Sequence, residues 1–157
     1  SAAASIAKNL LDQDRLVGLI ATGRHHTVVP ADRGERQLTR ILEQLAVVRA
    51  DGSTPIRDVL AAESYRCQRG MAAVVITPST SEDWVDSLQQ LRFQRVSVAA
   101  VLLEASTFGT AESSLMVMAR LVGGSVPRYL VKRGVPLAES LAGDGVALGV
   151  SPAAYFR

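Results

Sequence analysis

Apolar positions along the chain switch between helical spacing and unbroken runs of about four to eight residues, and each switch marks an element. Ala3, Ile6, Ala7 and Leu10 share one helical stripe, so a helix opens the chain, which is read as beginning inside a longer protein. The apolar run at 16–21, closed by Thr22 and Gly23, has the pattern of a strand buried on both faces. A short segment at 26–29 pairs with it as a hairpin through Gly23 and Arg24, and Pro30 ends this edge strand. Leu38, Ile41, Leu42 and Leu45 then form an amphipathic helix.

After the break at 50–55, Thr54 is placed to cap a helix with Pro55 at its first position, where a missing N–H costs nothing. Ile56, Val59, Leu60 and Cys67 mark the buried side of that helix. A second strand is predicted at 71–76. Ser79 and Glu82 then stand at capping-box spacing ahead of a helix carrying Trp84, Val85, Leu88 and Leu91 inward. A third strand at 96–103 leads through Ser106 and Gly109 to a helix with Ala111, Leu115, Met118 and Val122 on one stripe, ended by a left-handed cap at Gly123-Gly124. The last strand is at 126–131 and a short helix follows at 137–141. The tail at 143–157, apolar over 146–150, reads either as linker or as an added strand.

Strands alternating with helices at this spacing predict a doubly wound α/β fold: a mostly parallel sheet, right-handed crossovers and helices on both faces. One domain is expected over 1–142. In such sheets ligands and partners meet the carboxyl ends of the strands. Those ends carry Thr22 and Gly23, Thr77, Pro78 and Ser79, and Glu104 to Ser106, with the Asp51 to Thr54 loop as a candidate neighbour.

Composition narrows the function classes. The 157 residues are 48% hydrophobic and 20% charged, which is globular composition; only 4% are aromatic, so the core rests on Val, Leu, Ile and Ala. Seventeen basic against fifteen acidic residues give +2, too little for a counterion-driven nucleic-acid binder. No apolar run approaches the roughly 18 to 20 residues of a membrane span. The single cysteine, Cys67, excludes an internal disulfide and sits in a core pattern within a reducing compartment.

The run at 17–21, the helix ending at Arg49, the Asp51-Gly52-Ser53-Thr54-Pro55 loop and the strand and loop at 74–79 fall in a recognisable order. Together they resemble the von Willebrand factor A-like region of a bacterial family called domain of unknown function fifty-eight, over nearly the whole chain to about Leu141. The resemblance implies a fold lacking its first strand, which in that family lies mid-sheet between the second and the fourth. Three ways to compensate follow: direct pairing of the strands at Leu16 and Ala73, infilling by 146–150, or self-association through unpaired edges.

The family's metal site combines an Asp-x-Ser-x-Ser loop, a threonine and an aspartate, hard oxygen ligands suited to Mg²⁺. Here the first loop is not in the chain, the threonine matches Thr54, and Pro78 stands where the aspartate belongs. The expectation is no cofactor in this chain, with Mg²⁺ left open for the intact protein and Asp51 or Asp83 as substitute ligands. The resemblance further implies a non-catalytic interaction module, a MoxR-type AAA+ ATPase as partner, and a cytoplasmic domain of a membrane-anchored parent. The docking surface is assigned to Asp51, Ser53, Thr54, Thr77, Ser79, Thr80 and Glu104.

Other chemistry finds less support. Adjacent His25 and His26 on a strand face opposite ways and make no two-ligand pair. Cys67 has no histidine placed to activate it. No dinucleotide fingerprint or phosphate-binding loop is present. Arg33, Arg36, Arg40 and Arg49 are interrupted by Glu35 and Glu43, which reads ordinarily as a solvated face and more boldly as a face for an acidic partner. An enzyme with a hydrolase-like or nucleotide-binding site in the same crevice is the alternative class, since fold alone does not fix function.

Overall fold

The computed structural model describes residues 1–142, so the predicted tail at 143–157 and its apolar segment lie outside the described residues. The chain divides into two compact units, Ser1–Pro55 and a second beginning at Ile56. Among the described residues no helix is long and apolar enough to cross a membrane.

In the first unit, α1 (Ala2–Asp12) begins with the Ser1 hydroxyl accepting the Ala4 N–H at 3.3 Å, satisfying one of the unpaired donors of the first turn. β1 (Val17–Thr22) pairs antiparallel with β2 (His26–Asp32) in a two-stranded sheet. The expected hairpin is present, but β1 is not buried on both faces. Val17 and Leu19 pack with Ala7, Leu11 and Ile41, the last from α2 (Gly34–Val47), while Leu16 and Ile20 are exposed. An apolar run does not distinguish a strand covered on two faces from one covered on one.

Pro30 does not end β2. The strand continues to Asp32, and the register slips between Val17 and Leu19, leaving an extra residue on the β2 side. Pro30 brings no N–H to a ladder, so an irregular position tolerates it. Gly18 stands opposite, where a Cβ would meet the Val29 carbonyl at 2.9 Å. Buried Gln37 of α2 donates its amide to the carbonyls of Val17 and Pro30 at 2.7 and 2.8 Å, satisfying acceptors beside the irregularity.

The second unit starts with α3 (Ile56–Glu63), a 3-10 turn at Ser64–Arg66, and β3 (Ala72–Thr77). Pro55 precedes the first helical residue rather than occupying it. Then come α4 (Asp83–Phe93), β4 (Ser97–Leu103), α5 (Leu115–Gly123), β5 (Arg128–Val131) and α6 (Leu137–Ala142). β3, β4 and β5 form a parallel sheet in that order, with Thr77 opposite Leu102 and Leu103 opposite Val131.

This is an α/β arrangement with a three-stranded parallel sheet flanked by helices, compatible with a Rossmann-like fold. Two differences from the expected sheet follow. β1 pairs with β2 and not with β3. Moreover, α4 and α5 pack on the same sheet face, where Trp84, Val85, Leu88, Leu91, Val117 and Leu121 meet Val75, Val98, Ala100 and Leu102. Sequential strand order makes both crossovers step the same way, and crossovers of one hand then put both helices on one side.

Two helix ends also differ. α4 forms no Ser79–Glu82 capping box. Its start is organised by Ser81, whose hydroxyl donates to Asp83 at 2.5 Å, and by Arg57, paired with Asp83 at 3.0 Å. At the far end of α5, the left-handed residue is Ser125 (φ 52°), not either glycine. Gly124 is needed for space: a Cβ there would stand 2.2 Å from Nε2 of Gln89, which donates to the Gly124 carbonyl.

Candidate functional site

At the carboxyl end of the parallel sheet, Glu104 leaves central β4 and is buried. Its carboxylate accepts the Ser114 hydroxyl at 2.5 Å, the Ser114 N–H at 3.2 and 3.3 Å, and the Ser106 hydroxyl at 2.7 Å. Ser114 precedes the first residue of α5, so a negative charge sits at that helix's unsatisfied N–H end, where the backbone dipole favours it. The Ser114 and then the Ser106 hydroxyls hold the Glu104 carboxyl below its ordinary pKa; burial pushes upward and is outweighed.

The backbone joins the same knot. The Glu104 N–H donates to Val131 of β5 at 2.9 Å, and the Thr107 hydroxyl donates to the Glu104 carbonyl at 2.7 Å. The Arg133 N–H then donates to the Thr107 hydroxyl at 3.0 Å. The connection after β4 is thereby tied to the end of β5.

The loop after β3 is organised locally. Buried Thr77 accepts the Ser79 N–H at 3.1 Å through its hydroxyl, and Ser79 accepts the Ser81 N–H at 3.3 Å. Thr80 reaches across, donating to Glu112 at 3.5 Å, and so links the loop after β3 to the loop before α5. Of the four predicted docking residues in this unit, Thr77 and Glu104 are therefore buried and engaged internally, whereas Ser79 and Thr80 lie partly open at the rim.

The remaining predicted site residues belong to the first unit. The Asp51 carboxylate accepts the Arg24 N–H at 2.8 Å and pairs with the Arg24 side chain at 3.5 Å. Gly23 and Gly52 make this possible: a Cβ on Gly52 would lie 2.6 Å from the Gly23 carbonyl. Asp51 thus fastens the β1–β2 turn to the segment after α2. Ser53 and Thr54 are exposed. Among the described residues no group of three His, Cys, Asp or Glu side chains is gathered to hold a metal ion.

No family model, no curated protein and no solved structure matches this chain.

Beside the polar knot stands an apolar feature that sequence reading did not assign. Phe108, Leu115 and Met116 are 54, 71 and 63% exposed, all between the end of β4 and the first turn of α5. The predicted stripe of Ala111, Leu115, Met118 and Val122 has the wrong phase: the buried face is Ser114, Val117 and Leu121, with Met118 half-buried. Leu115-Met116-Val117-Met118 is apolar all round, so its phase had no signal in the sequence. Cys67 packs against the core, where burial, and after it Glu63, pushes the thiol pKa up, away from a reactive thiolate.

Proposed function

We propose that this chain is a von Willebrand A-like, non-catalytic interaction module that docks a protein partner at the carboxyl end of its parallel sheet. The observation that carries the reading is the exposure of Phe108, Leu115 and Met116 on the connection from β4 into the first turn of α5, the same connection in which Glu112 accepts from Thr80 of the loop after β3. Exposed apolar side chains with polar groups in the same connection have the composition of a docking patch. Glu104 supports that patch from beneath by fixing the start of α5. The partner implied by the family resemblance is a MoxR-type AAA+ ATPase in the cytoplasm.

The test is binding of a purified MoxR-type ATPase to the full chain by biolayer interferometry, with wild type and a Leu115→Ser/Met116→Ser variant. Wild type should bind and the variant should lose about tenfold or more in affinity, since buried apolar anchors dominate interface energies. Equal binding by both would remove the patch from the interaction. A melting temperature raised by a nucleotide rather than by the ATPase would favour a nucleotide-binding enzyme.

A further inference from the structure

The amino end of the same sheet carries a cavity of about 240 Å³, remote in the fold from the Glu104 knot. Arg92, Arg95, Ser97 and Ser125 line it, and no lining residue is acidic. Three segments contribute: the end of α4, the start of β4 and the connection from α5 to β5. Arg92 spends one guanidinium nitrogen on the carbonyl of Gly124 and the side chain of Gln89, so Nε and the other terminal nitrogen remain for a ligand. Arg95 is exposed and makes no ion pair among the described residues. Just past the lining Pro127, Arg128 is buried; its Nε has no hydrogen-bond partner among the described residues.

Two backbone outliers meet at this cavity. Arg95 (φ 63°) and Ser125 (φ 52°) are left-handed without being glycine, and each follows a helix end, as Asp14 (φ 57°) does after α1 with the same closing hydrogen bonds. The two ends are built alike: Val96 donates to Leu91 and Arg95 to Arg92, as Val126 does to Leu121 and Ser125 to Val122. Glycine is the easier residue at such a position. Neutralising the negative carbonyl end of α5 accounts for Arg92 on Gly124. It does not account for a second arginine on the same acid-free lining whose side chain makes no ion pair among the described residues.

We propose that this cavity is an oxyanion site that takes a phosphate group, either as free phosphate or as the phosphomonoester of a small molecule. Planar guanidinium forks match phosphate oxygens in pairs, and serine hydroxyls donate from other directions. A bound anion would also offset the positive charge gathered by Arg92, Arg95 and Arg128.

The experiment is titration of the full chain with inorganic phosphate, phenyl phosphate, and sodium acetate at matched ionic strength, followed by amide NMR shifts and melting temperature. Both phosphates should shift amides at 92–98 and at 125, 126 and 128 and raise the melting temperature; tighter binding of phenyl phosphate identifies a monoester, and equal binding free phosphate. Arg95→Gly should melt higher than wild type in phosphate-free buffer, yet bind phosphate about tenfold more weakly. Arg92→Lys, which keeps the charge and loses the fork, should also weaken binding. Acetate shifts equal to those of phosphate, shifts located elsewhere, or undiminished binding by Arg95→Gly would each overturn the proposal.

Discussion

The two ends of the three-stranded sheet handle charge in opposite ways. At the carboxyl end Glu104 is buried with its oxygens occupied by Ser106 and Ser114, and its charge rests on the positive end of α5. At the amino end Arg92 and Arg95 line an acid-free cavity and Arg128 is buried without a counter-ion among the described residues. The difference is that the buried charge of Glu104 has its hydrogen bonds closed internally, whereas at the amino end Arg92 and Arg95 are exposed and buried Arg128 keeps an Nε without a partner among the described residues.

The sharpest way to break this contrast is Glu104→Ala. It strips partners from a buried hydroxyl and N–H at Ser114, so urea denaturation should show a loss of about 3 kcal/mol. A loss below about 1 kcal/mol would mean that water replaces the carboxylate and the lock is not structural.

Acid should act on the same group. Glu104 titrates lower in the folded chain than in the unfolded one, so its stabilisation is fully present above the unfolded pKa, about 4.3, and fades as pH falls through the lower folded value. Stability measured from neutral pH downward should therefore decline more steeply in acid for wild type than for Glu104→Gln. Parallel curves would assign the acid sensitivity elsewhere, for instance to Asp83, which Ser81 and Arg57 hold below its ordinary pKa.

At the amino end, Gly124→Ala places a methyl against the Gln89 amide. Gln89 must move, and the loss should be about 1 to 2 kcal/mol by denaturant titration. The smallest effect has the opposite sign: Ser125→Gly relieves a left-handed residue and should stabilise by up to about 1 kcal/mol, read as a higher melting temperature.

Some features were legible from single positions. The stripe of Trp84, Val85, Leu88 and Leu91 is buried as its spacing requires, because polar residues around it leave α4 only one apolar face. The strands near 71–76, 96–103 and 126–131 are where apolar runs placed them, and they are parallel as their helical connections demand. Glu104 was recognised as lying at a strand end, but nothing in its neighbourhood told whether it would be offered to a partner or folded in. That depends on Ser114, ten residues away.

What the sequence by itself determined is the succession of helices and strands and the parallel pairing of the last three strands, because periodicity and connection length are local properties. The tertiary structure decided the rest. It put β1 in a separate hairpin with β2, chose which face of α5 to bury, turned Glu104 inward, and set Arg95 and Ser125 beside one cavity. Each of these depends on residues distant in sequence competing for the same space or the same hydrogen bond, and no local pattern records the outcome of that competition.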